Sequence, residues 1–283
     1  MIVLDGRKAK LDILKELKKD IEKLETTLGL TVIQIGDDPA SNVYVRNKKK
    51  MAEDLGYNFN HIHLDEFIDE SSVLDIISEL NDNDLVDGIL VQMPIPKHLN
   101  SKTIQNFIND LKDVDGLTDI NIGKLSHGRD CLVPCTPMGI MDLLNIYNIP
   151  VEGKCVVIVG RSDLVGKPLS YLMTNNNATV ILCHSKTKDL KQFTKQADIL
   201  VSAVGKPNTI TKDMIKENST IIDVGINRTE DGLVGDVCYD DVKDHVEYIT
   251  PVPGGVGQMT IAELAKNTYK AHVLRKQLGK IDK

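Results

Sequence analysis

Short aliphatic runs alternate along this chain with longer stretches whose apolar residues recur every third or fourth position, and this alternation restricts the fold more than any other feature. Leu11, Leu14, Leu17, Ile21, Leu24 and Leu28 lie on one face of a helix that Gly29 is expected to stop. Residues 30–35 follow as a strand. Asp38-Pro39 is a helix start, with a side-chain cap and proline at the first helical position, and that helix is expected to run to Gly56. A strand near 59–64, a helix over 72–80 and a buried strand over 88–92 complete the first series. The second half starts afresh, with strands over 155–159, 179–183, 199–203, 220–224 and 246–250, helices between most of them, and a final helix capped by Thr260 and reaching about Leu278. Such alternation predicts parallel sheets covered by helices, that is, an α/β protein. A length of 283 residues accommodates two domains. Residues 113–139 are rich in turn signals and read as loop, and the helix opened by Thr136-Pro137 and reaching about Tyr147 is the expected junction.

The sharpest local signal is the strand-turn-helix passage from Val156 to Pro168. Gly160 ends the strand and Gly166 opens the helix, so backbone N–H groups at the helix start can receive a pyrophosphate. The usual G-x-G-x-x-G spacing is absent, and an ordinary βα turn with two glycines remains the alternative. Sheets selective for NAD commonly end their second strand on an acid that binds the ribose hydroxyls. Here that strand ends Cys183-His184-Ser185-Lys186-Thr187, with hydroxyl and cationic groups instead, and Arg161 nearby, which favours NADP. The segments from Ala203 to Pro207 and from Asp223 to Asn227 place glycines at further strand ends, where a cofactor ring can come close to backbone.

In the first half, Tyr44, Lys48, Met51, Ala52 and Leu55 share one helical face. Lys49 and Lys50 point elsewhere. Lys48 is therefore the basic residue placed for partial burial, which would lower its pKa and let it exchange protons near neutrality. The competing reading has it lying along the surface beside its neighbours. Gln92 ends a strand before proline. Asp113 and Asp115 flank a turn, and a carboxylate there could grip a fused heterocycle through two donors at once.

Composition removes other classes. Tryptophan is absent, aromatic residues make up 4% and the net charge is −7, which argues against a stacking platform or general polyanion binder for nucleic acid. No apolar stretch approaches a membrane span, and the N-terminal residues lack the order of a signal peptide, so a cytoplasmic location without membrane association is expected. Five scattered cysteines are no disulfide framework, and Cys131 and Cys135 lack partners for zinc; no metal is expected.

Six blocks carry a resemblance: Tyr44-Val45-x-x-Lys48-x-Lys50, residues 87–96, Lys112-Asp113-Val114-Asp115-Gly116, Pro134-Cys135-Thr136-Pro137-x-Gly139, residues 160–168, and residues 251–257. In this order the chain resembles the bifunctional methylenetetrahydrofolate dehydrogenase/methenyltetrahydrofolate cyclohydrolase family. The resemblance implies an N-terminal α/β catalytic domain, residues 1–138 with the last helix 260–283 packed back upon it. It implies a C-terminal Rossmann-like NADP-binding domain, residues 139–259, with the reaction centre in the cleft separating the two. The substrates would be tetrahydrofolate one-carbon derivatives and the assembly a homodimer. Carried over, the catalytic set is Lys48, Tyr44, Gln92 and Asp115. The same residues with Val91, Met93 and Pro251, Val252, Pro253, Gly254 and Gly255 would line the folate. Gly160, Arg161, Ser162, Val165, Gly166, Ser185 and Ile226 would touch the cofactor. One departure is Gln258, where the family usually has proline; it predicts a less rigid loop before the last helix.

Overall fold

The computed structural model describes residues 1–230 and 232–281. Its chain opens with β1 (Ile2–Val3) and α1 (Gly6–Ile21). It forms two compact units, one of Ile13–Cys135 with Ile261–Lys283, the other of Met1–Asp12 with Thr136–Thr260.

The first unit holds β2 (Gly29–Ile35), α2 (Pro39–Leu55), β3 (Asn58–Leu64), α3 (Glu70–Asp82), β4 (Gly88–Val91), α4 (Ser101–Phe107) and α5 (Asp119–Ser126). The three strands form a parallel sheet in the order β3-β2-β4. β2 is central and buried at every position, Thr31 and Gln34 included, as expected of a strand covered on both faces. The termini of α2 follow from its sequence. Asp38 Oδ1 accepts the Ser41 N–H at 2.8 Å, Pro39 occupies the first turn, and Gly56 takes φ +76° while its N–H closes on the last carbonyls. Leu28, Leu30, Val45, Met51, Ala52 and Leu55 pack with Leu264, Ala265 and Ala271 of the last helix. That helix is also tied down by charge: Asp87 Oδ1 receives His272 Nδ1 and Arg275 Nη1, each at 3.0 Å, while Oδ2 accepts the Gly29 N–H.

The second unit holds β1 and, from Thr136 onward, α6 (Cys135–Ile146), β5 (Cys155–Val159), α7 (Gly166–Asn175), β6 (Thr179–Cys183), α8 (Leu190–Thr194), β7 (Ile199–Ser202) and β8 (Thr220–Asp223). A hairpin of β9 (Asn227–Thr229) and β10 (Gly232–Val234) follows, then α9 (Tyr239–Val242), β11 (Tyr248–Ile249) and α10 (Val256–Gln277), which from Ile261 onward belongs to the first unit. The sheet is parallel throughout, in the order β1-β11-β8-β7-β5-β6. Apart from β1 this is the doubly wound order 2-1-3-4-5, whose chain direction switches beside β5, where such sheets bind their ligands.

Several expectations need correction. Residues 1–12 were expected with the first half; instead Ile2 and Val3 pair with Tyr248 and Ile249 and lengthen the second sheet. The first helix ends at Ile21 rather than at Gly29, which opens β2; a Cβ there would strike the Leu85 carbonyl. Within the expected loop of 113–139, Thr118 Oγ1 accepts the Asn121 N–H and starts α5. The last helix begins at Val256, so Thr260 is interior. Gln258 lies in its first turn, and its Oε1 accepts Lys10 Nζ at 2.7 Å, a contact that proline could not make. Among the described residues no helix is long and apolar enough to cross a membrane, and no group of three or more His, Cys, Asp or Glu is arranged to hold a metal.

Candidate active site

In the first unit, α2 delivers Lys48 to the carboxyl end of β4. Met51, Ala52 and Leu55 anchor the helix face in the core, so Lys48, one turn earlier, is carried inward with them. Its Nζ donates to Gln92 Oε1 at 2.6 Å. Gln92 Nε2 donates in turn to the Met93 carbonyl, also at 2.6 Å, which fixes the amide with its oxygen toward the lysine. The Lys48 stem is half-exposed, yet its amine lies deep enough that burial lowers its pKa below 10.5, against the opposing pull of the Asp115 charge. Burial pushes Asp115 the other way, upward, with Lys48 opposing. Desolvation therefore drives both groups toward their neutral forms.

Tyr44, one turn before Lys48 on the same helix, is 41% exposed. Val91 is buried in the sheet and Met93 half-buried. The two aspartates of the turn, equivalent by sequence, have different surroundings. Asp113 is fully buried and saturated: it accepts the N–H groups of Gly116 and Thr118 and the side-chain amides of Gln105 and Asn121. Asp115 is the one left facing Lys48. Cys135 was missed by the sequence analysis as a site residue. It lies beside both, its thiol donating to the Val114 carbonyl at 3.3 Å, and burial raises its pKa well above the ordinary value. Its signal was present in the Pro134-Cys135-Thr136-Pro137 block, but cysteine in apolar surroundings reads equally as packing.

The second unit supplies a different chemistry, made mostly of backbone. Gly160 has φ +124°, and a side chain on it would strike the Ala203 carbonyl; one on Gly166 would strike the Gly160 carbonyl. The turn is thus wound too tightly for any other residue. Ser162 Oγ accepts the Val165 N–H at 3.2 Å, and Val165, at the cap of α7, has no side-chain hydrogen bond to offer the helix start. An uncapped helix start suits an anion. Arg161, Ser162, Ser185 and Lys186 are exposed, and no acid stands between Cys183 and Lys188. Ile226 is exposed, and a side chain added at Gly257, at the start of α10, would meet it. The segment from Pro251 to Gly255 belongs to this unit too, pinned where the Gly6 N–H meets the Gly254 carbonyl at 3.0 Å.

Residues 4–115 match the family model for the tetrahydrofolate dehydrogenase/cyclohydrolase catalytic domain, and residues 134–276 match that for its NAD(P)-binding domain. The chain belongs to the tetrahydrofolate dehydrogenase/cyclohydrolase family. Among its relatives, the "Bifunctional protein FolD" of Bacillus subtilis is 49% identical over 95% of this chain and 96% of its own length. The bifunctional FolD crystal structure from Campylobacter jejuni superposes with a TM-score of 0.95 at 45% identity, covering 97% of this chain and 99% of that one. The Trypanosoma brucei enzyme, solved with NADP and an inhibitor, gives 0.92 at 34% identity and covers 98% of both chains. Family membership accounts for the pairing of an NAD(P)-type sheet with a lysine-bearing α/β unit.

Proposed function

We propose that this chain oxidises methylenetetrahydrofolate to methenyltetrahydrofolate with NADP, and then hydrolyses the methenyl compound to 10-formyltetrahydrofolate. The reading is carried by the Lys48 amine held at 2.6 Å by Gln92 beside Asp115. Another nicotinamide-dependent dehydrogenase would share the parallel sheet but has no need of this set.

NADP, when bound, supplies the acceptor for the hydride leaving the methylene carbon. The uncapped start of α7, Gly160 to Ser162, Val165 and Gly166 would hold its pyrophosphate, with Arg161 and Ser185 toward the 2′-phosphate. Asp115 would grip the pterin, Tyr44 would stack on it, and Val91 and Met93 would line the folate beside them. The methenyl product is a cation, which a protonated lysine would repel. Burial lowers the pKa of Lys48 and so favours its neutral amine, which Gln92 orients. As the water oxygen bonds to the methenyl carbon, Lys48 takes one water proton and then returns it to the ring nitrogen whose bond to that carbon breaks. The hydroxyl proton goes to solvent, leaving the formyl group. The same amine thus takes up and returns one proton.

The experiment is a two-wavelength assay with methylenetetrahydrofolate and either nucleotide. Turnover with NADP, followed by decay of the methenyl absorbance without further nucleotide, is expected. Equal or better turnover with NAD would overturn the cofactor assignment, and a stable methenyl signal would remove the hydrolytic step. We read the assembly as a cytoplasmic homodimer, supported by the family resemblance and checked by light scattering of the purified chain.

A further inference from the structure

Two carboxylates of the second unit lie outside the sites above. Asp223 closes β8, and Asp236 follows β10; both are buried. Asp236 gathers five donors. Its Oδ2 accepts the N–H groups of Val204 at 2.7 Å and Gly205 at 3.2 Å and the Ser202 hydroxyl at 3.2 Å. Its Oδ1 accepts the Lys206 N–H at 2.9 Å and Asn227 Nδ2 at 3.1 Å. Asp223 answers from the other side: Oδ1 accepts the N–H groups of Gly225 at 3.0 Å and Asp236 at 2.9 Å, and Oδ2 that of Val237 at 2.9 Å. The packing is reciprocal. A side chain on Gly225 would strike the Asp236 carboxylate, and one on Gly235 would strike that of Asp223. Two loops leaving the carboxyl ends of β7 and β8 are thereby laced together. Each presents an apolar residue to solvent, Val204 at 38% and Ile226 at 46% exposure. Exposed aliphatic groups at strand carboxyl ends, one strand from the switch point, suit the face of a flat ring.

We infer that Asp236, backed by Asp223, is a positioning residue for the nicotinamide end of the cofactor, holding Val204 and Ile226 as the apolar flanks against which the ring is set. The inference rests on the NADP reading above. A carboxylate is required because five donors converge on two acceptor oxygens. An asparagine would turn its NH2 toward at least one backbone N–H whichever way it faced, leaving buried donors unpaired and the loop free to shift.

The test uses the full chain as the Asp236→Asn variant. Calorimetric titration would compare NADP with adenosine 2′,5′-bisphosphate, which lacks the nicotinamide, and hydrolysis of methenyltetrahydrofolate would be followed without nucleotide. The Kd for NADP should rise about tenfold, with bisphosphate binding and the nucleotide-free rate within about twofold of the parent. A merely structural role would weaken both ligands together. That result, or an unchanged NADP affinity, overturns the inference. Should Asp236→Asn not fold, Asn227→Ala decides: it removes the side-chain bond from the β8 loop to the Asp236 carboxylate while leaving the backbone bonds of Asp236 in place. It should raise the NADP Kd about threefold and leave the bisphosphate unaffected, and no rise would overturn the inference. A parent protein that binds neither nucleotide would instead remove the cofactor reading, and this inference with it.

Discussion

Two lysines of the first unit are withdrawn from solvent, and they are withdrawn differently. Lys112 is almost wholly buried, and its ammonium donates to three carbonyls at the end of α3, those of Leu80, Asn81 and Asn83, at 2.9, 2.7 and 2.7 Å. Burial, with the Arg275 charge, brings its pKa to about 8, so at neutral pH it remains charged and each proton has an acceptor. It caps a helix. Lys48 has one strong acceptor, Gln92 Oε1, and faces Asp115 through space. Its surroundings neither satisfy three protons nor expel the amine. A saturated buried cation is architecture, whereas an under-supplied one is held ready for something that arrives later.

The same substitution at the two positions should therefore do different things. Lys48→Met should slow nucleotide-free hydrolysis of methenyltetrahydrofolate about a thousandfold or more, roughly 4 kcal/mol in the barrier, while NADP still binds. Lys112→Met should leave that rate nearly intact in the folded protein but cost about 3 kcal/mol of stability in denaturant titration, because three carbonyls lose their donor. Hydrolysis lost at Lys112 and kept at Lys48 would invert the comparison. Gln92→Glu sharpens it. A carboxylate at 2.6 Å would favour the charged amine, so the rate at neutral pH should fall about tenfold and recover at higher pH. The smallest effect is on stability. Because burial lowers the folded pKa of Lys48 beneath that of the unfolded chain, unfolding takes up a proton between the two values, and this group's contribution to stability grows with pH across that window. At neutral pH its burial is a cost. Lys48→Met should consequently unfold at higher denaturant, by about 1 kcal/mol, and a loss of stability would show that the amine is better satisfied than its single bond indicates.

Much of this site was legible in the sequence where the chemistry is local. Asp38-Pro39 and Gly56 bound α2, and helical spacing then puts Lys48 on the face of Met51, Ala52 and Leu55. The Gly160–Gly166 turn was legible because tight winding excludes side chains. What was not legible depends on contacts distant in sequence. The pairing of Ile2 and Val3 with Tyr248 and Ile249 joins the two ends of the chain, and a two-residue strand has no period to detect. Asp113 and Asp115 differ through Gly116, Gln105, Thr118 and Asn121, which saturate the first, and through Lys48, which the second faces. α5 was concealed because Asp119 to Ser126 lacks a strong apolar stripe, its start marked only by the Thr118 cap. Lys112 gave no sign of burial, since its acceptors are backbone atoms of another helix.

The most direct test is the pH dependence of nucleotide-free methenyltetrahydrofolate hydrolysis in the parent protein and in Lys48→Met. An enzymatic limb that rises with pH, has its midpoint below the ordinary lysine value of 10.5 and vanishes in the variant is the expected result. Hydrolysis by Lys48→Met at the parent rate across that range would contradict the account.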